Sequence, residues 1–166
     1  MARLEYINFE KFDVSLDESN QVQCLSSAKH SSPKLPQIFW NNATSWHEAN
    51  LWSLDRTTVS RVDPETVKRN MKHLITYANF LEELKTDWRH FPTVKADRPL
   101  LRFKKYLIDR IADSSLNGST AKNCMASVIQ FYRFADMHDL VGNQSPMWTD
   151  RMAIIRKRSM NHSLVA

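Results

Sequence analysis

Three long stretches of the chain repeat apolar residues at the three-to-four-residue spacing of an amphipathic helix. In the first, Val67, Met71, Leu74, Ile75, Ala78, Leu81 and Leu84 form one stripe preceded by Asp63-Pro64-Glu65. Aspartate caps orphan N–H groups, proline suits the first helical position and glutamate answers the positive end of the dipole. The pattern predicts a helix ending near Leu84, with Lys68, Arg69, Lys72 and Thr76 opposite the stripe. Asp97-Arg98-Pro99 opens a second helix by the same logic. Its core face is Leu100, Phe103, Leu107 and Ile111, with Leu101 and Ile108 beside it, and Arg102, Lys104, Lys105 and Arg110 are left to solvent or a ligand. The third and longest begins at Asn117-Gly118-Ser119-Thr120 and runs to about His138, lined inside by Ala121, Cys124, Met125, Val128, Tyr132 and Ala135.

Shorter signals flank these. Ser45-Trp46-His47-Glu48 fits a capping box and opens a helix to about Leu54. Trp40, Trp46 and Trp52 pack it onto the bundle in preference to forming a platform for stacked bases. A last basic helix is predicted over about Thr149 to Arg158, beyond the turn at Gly142 and Pro146. Near the N-terminus, Leu4 to Phe9 and Val22 to Leu25 read as two strands joined through Asp17-Glu18-Ser19-Asn20, a ribbon that must lean on the helical body. Ser26 to Pro36 reads as a linker. The predicted fold is therefore all-α, a compact bundle of four to five helices with a small N-terminal β-ribbon. Residues 1–36 form an appendage, 37–150 the helical domain, and 151–166 a basic tail or last helix.

Composition narrows the chemistry. Only Gly118 and Gly142 are present, against glycine-built phosphate loops and turn-rich β folds. Cys24 and Cys124 form no Cys-x-x-Cys, and the six histidines share no ligand spacing. No disulfide framework, metal or other cofactor is expected, and reduced thiols fit a cytoplasmic protein. No apolar run approaches the roughly 20 residues of a membrane span, and acids interrupt Met1 to Glu10 where a secretory signal would be apolar. Net charge is +5 with a pI near 9.3, which favours an anionic partner. The excess is uneven: residues 1–63 hold six Lys/Arg and eight Asp/Glu, whereas residues 64–166 hold seventeen and ten.

No nucleophile elbow, P-loop, His-Glu-x-x-His or dinucleotide fingerprint is present, so no catalytic residue is nominated. The arrangement of basic residues points instead to double-stranded DNA. A duplex grip needs Lys and Arg on one face to displace phosphate counterions, and short polar side chains to set register or read bases. Lys68, Arg69 and Lys72 meet the first need. From Gly118 to Gln130 the third helix has no acid and one charge, Lys122. Ser119, Thr120, Lys122 and Asn123 stand where acids would normally answer the helix dipole, a natural seat for phosphate. Arg133 extends the polar outer face, with Asn123, Ser127 and Gln130 placed to reach bases. The plainer reading is a solvated basic face with Ser119 as an ordinary cap; it explains Ser119 but not the missing acids.

Leu116-Asn117-Gly118-Ser119-Thr120, Phe131-Tyr132-Arg133-Phe134-Ala135, the helix at Thr66 to Leu84 and Trp46 to Trp52 together resemble the core-binding (SAM-like) domain of tyrosine recombinases, the phage-integrase family. The resemblance covers about residues 37–150. It departs at Asn143-Gln144-Ser145-Pro146, where the family closes the domain with Asn-Pro. It implies a bacterial or phage-derived domain that clamps DNA during integration and recombination, two helices against the major groove. Its partners would be its own catalytic domain and other protomers in a tetramer on DNA. No His-x-x-Arg occurs, and about twenty residues follow Pro146, so the catalytic domain is expected to be absent from this chain. Tyr6, Tyr77, Tyr106 and Tyr132 are not nucleophile candidates, the last three being expected to pack within helices. Competing readings are a helical protein-interaction or regulatory module and a free-standing DNA-binding regulator.

Overall fold

A computed structural model describes residues 1–8, 12–26 and 34–142 of the chain. Its elements run β1 (Arg3–Ile7), β2 (Phe12–Leu16), β3 (Val22–Ser26), β4 (Leu35–Phe39), α1 (His47–Thr58), α2 (Pro64–Leu84), a 3-10 turn (Lys95–Asp97), α3 (Pro99–Ala112) and α4 (Gly118–Met137). The described part is thus mostly helical, as the periodicity predicts. The helix expected at Thr149 to Arg158 and the turn at Asn143 to Pro146 lie outside the described residues.

The N-terminal strands pair differently from the expected single ribbon. β1 runs antiparallel to β4, from Arg3 opposite Phe39 to Ile7 opposite Leu35, while β2 and β3 form a separate hairpin. Leu35 to Phe39 is therefore a strand and not the end of a linker, and it crosses the boundary expected at residue 36. Proline is tolerated because a two-stranded ribbon leaves one edge of β4 without a strand partner. That edge is met by α1 side chains. Asn50 accepts from the Ile38 N–H at 2.7 Å and donates back to its carbonyl at 3.0 Å, and Ser53 donates to the Pro36 carbonyl at 2.8 Å.

α1 starts differently too. Its N-cap is Trp46, with no side-chain cap bond, because Ser45 Oγ accepts from Asn50 and Glu48 pairs with Arg89. The helix continues past Leu54 to Thr58. α2 follows its sequence signals: Asp63 accepts from the Thr66 N–H at 3.0 Å, and Pro64 occupies the first turn. In α3 the cap position falls on Arg98, with Asp97 drawn into the preceding 3-10 turn.

The core lies where α1, α2 and α4 meet. Trp46, Tyr77, Phe103, Phe131 and Tyr132 are fully buried, joined by Ile38, Met71, Leu74 and Val128. The Trp46 ring lies 5.2 Å from Phe131 and 6.2 Å from Trp88, so the tryptophans pack as expected, with Trp40 half-buried against Trp46 at 4.7 Å. Each such side chain fully withdrawn from water stabilises by about 1.5–3 kcal/mol. α3 contributes less than its stripe predicts. Phe103 and Leu107 are buried, but Ile111 is 41% exposed, with Leu101 and Ile108 also outside, because α3 packs against its neighbours on one side only.

Candidate nucleic-acid interface

α2 and α4 pack side by side and run parallel. His73 meets Cys124 and Ser127, and Tyr77, one turn further along α2, meets Tyr132, further along α4. Their N-terminal ends consequently lie at the same end of the molecule. At that end α2 carries two acids, Asp63 in its capping bond and Glu65 paired with Lys68 at 2.5 Å. α4 carries none in its first turn. Its N-cap is Asn117 rather than Ser119: Asn117 Oδ1 accepts from the Ser119 N–H at 2.9 Å and from the Ser119 hydroxyl at 2.8 Å. The nearest acid upstream, Asp113, is held below the usual carboxylate range by the Ser115 hydroxyl and N–H.

Apart from Ser127, the expected contact residues divide into three groups. Ser119, Thr120, Lys122, Asn123, Gln130 and Arg133 are all exposed on the outer face of α4. Arg69 and Lys72 are exposed on α2, Arg69 on the flank nearer α4, where its Nη2 donates to Thr66 Oγ1 at 3.1 Å and its charge reaches His73. Lys68 lies on the other flank, half-buried, its pKa raised chiefly by the hydrogen bond to the Glu65 carboxylate. It stands apart from the α4 surface.

Ser127 departs from expectation. It is 4% exposed and sits in the seam between the helices, with its Oγ 2.9 Å from His73 Nδ1, 3.3 Å from Asn70 Oδ1 and 3.0 Å from the Asn123 carbonyl. A hydroxyl so enclosed cannot reach a base edge. Its polar partners explain the error: Asn70 and His73 replace the apolar neighbours that a buried position on α4 would ordinarily meet. Burial, then the Arg69 charge, lowers the His73 pKa from its ordinary 6.5. Burial lifts the Cys124 thiol to about 12, so it packs as an unreactive group. Asn70 was missed by sequence reading, and its Nδ2 has no hydrogen-bond partner among the described residues. An asparagine one turn before a histidine on the same helix face was the available signal.

Away from this face, an open cleft of about 880 Å³ lies between the β4–α1 connection and the loop after α2, with Trp40, Trp46, Glu48, Glu82, Trp88 and Arg89 in its wall. Arg89 lies over the Trp88 ring at 4.9 Å and pairs with Glu48. No group of three or more metal-ligating side chains occurs among the described residues, and no described helix is long and apolar enough to cross a membrane.

Fold and face together define a mostly helical body with a β-ribbon stapled to it and a polar, basic surface on two parallel helices. Compared with protein-family models, curated proteins and solved structures, the chain matches none.

Proposed function

We propose that the α2–α4 face grips the sugar–phosphate backbone of duplex DNA, and that the chain acts as the clamping, core-binding part of a tyrosine recombinase. The observation that carries this reading is the parallel packing of the two helices. It brings Arg69 and the acid-free start of α4, with Lys122 and Asn123 exposed, to one end of the molecule. Helix N–H groups and cations arranged together attract phosphate, and such contacts orient a protein on DNA without reading sequence. Arg69, Lys72, Lys122 and Arg133 are the phosphate contacts; Asn123 and Gln130 are the side chains placed to reach base edges. Lys68 supports the field from the far flank.

Four neutralised phosphates predict that log affinity for a random duplex falls against log salt with a slope of about −3.6. Fluorescence anisotropy titrations over a salt series measure it. Lys122→Ala should weaken binding and reduce the slope by about one, whereas Gln130→Ala should leave the slope unchanged. A slope indistinguishable from zero, or a Lys122→Ala protein identical to the parent, removes this reading.

A further inference from the structure

Among the described residues, two exposed apolar surfaces have no partner element. The first is the β2–β3 hairpin, which contacts no other described element. Its register pairs Phe12 with Ser26, Val14 with Cys24 and Leu16 with Val22, and the last pair, next to the turn, shares one face. Leu16 is 63% and Val22 65% exposed. Residues 12–26 include Asp13, Asp17 and Glu18 and no Lys or Arg, a net charge of −3. A lone two-stranded hairpin is marginal in water, and its edges are open to pairing. Three acids and no base make it a poor partner for nucleic acid.

The second surface is the outer side of α3. Leu101, Ile108 and Ile111 are 44%, 48% and 41% exposed there, with Lys104 and Lys105 exposed among them and Arg102 alongside. Residues 98–112 contain five Lys/Arg and one acid, Asp109, a net charge of +4. The hairpin and α3 thus offer apolar centres of opposite charge, and within one chain they do not touch.

We infer that the hairpin of one copy docks on α3 of a second copy, Leu16 and Val22 against Leu101 and Ile108, with Asp17 and Glu18 at the hairpin turn facing Lys104 and Lys105. The contact is head-to-tail, because each copy offers one donor surface and one acceptor surface. It is small, which places it among weak, concentration-dependent associations. It needs no DNA and stands apart from the α2–α4 face.

Sedimentation equilibrium of the full chain without DNA tests this, using two variants. Leu16→Lys with Glu18→Lys spoils the hairpin, and Lys105→Glu with Ile108→Glu spoils α3; all four positions are exposed, and circular dichroism checks that each variant stays folded. The parent should self-associate as its concentration rises. Each variant alone should associate at least about tenfold more weakly. Their equimolar mixture should form a 1:1 dimer and stop there, since one intact hairpin and one intact α3 remain between them. The milder pair Leu16→Ala and Ile108→Ala should weaken association in the same way if a charge-bearing variant fails to fold. A parent that stays monomeric, whether its hairpin folds onto its own α3 or binds another protein, overturns the inference. So does a mixture that stays monomeric.

Discussion

The Tyr132 hydroxyl donates to the Trp88 carbonyl at 2.6 Å, which leaves its oxygen to accept from Tyr77 at 2.7 Å. Both rings are fully buried, and burial pushes both phenols above their ordinary range, so the pair stays neutral. Tyr132 therefore holds two structures at once, the loop after α2 through Trp88 and α2 itself through Tyr77. Tyr132→Phe strands a buried carbonyl and a buried hydroxyl and should cost about 1–3 kcal/mol; Tyr77→Phe, which removes one bond and leaves Trp88 satisfied, should cost less, about 1 kcal/mol. Urea denaturation of the two variants measures the difference, and equal costs would refute this ordering. That these tyrosines pack was legible from their place within helices, Tyr132 on the inner stripe of α4. The hydrogen-bonded chain was not, because Trp88 lies in a segment with no period to mark it.

At the scale of elements, the α2–α4 seam makes packing sensitive to pH. Burial lowers the His73 pKa below 6.5, so the unfolded chain binds a proton before the folded chain does. The contribution of neutral His73 is fully present above pH 6.5 and is lost as pH falls through the lowered folded value. Thermal unfolding between neutral and mildly acidic pH should show a falling Tm that is flatter in His73→Gln; identical pH profiles would remove His73 as the cause. Element starts show how far sequence reading reaches. Asp63 directly precedes Pro64, and its carboxylate reaches the Thr66 N–H. Asp97 stands two residues before Pro99, which puts Arg98 at the cap and Asp97 in the turn before it. Similar letters with one residue of offset give different caps. Ser127 was misplaced for a related reason: periodicity locates the edge of a buried arc, but the polar neighbours across the seam come from another helix.

Across the whole molecule, the helical body and one strand of each pairing, β1 and β3, were legible, whereas their partners β4 and β2 were not. Pairing Leu4 to Phe9 with Val22 to Leu25 was the local solution; the structure instead joins β1 to β4 across some thirty residues of chain, with the hairpin inserted between. Because Ile7 lies opposite Leu35, replacing residues 8–34 by Asn-Gly should close β1 onto β4 in a two-residue turn. The body should keep its Tm to within about 2 °C, since the hairpin supports no other described element. A calorimetric drop well beyond that would place the hairpin inside the folding unit. The amide of Asn50 adds a further consequence. By offering β4 both a donor and an acceptor, one side chain imitates the peptide group of a neighbouring strand and seals that margin. An intruding segment would have to evict it first, so templated growth of this ribbon is blocked on the α1 side.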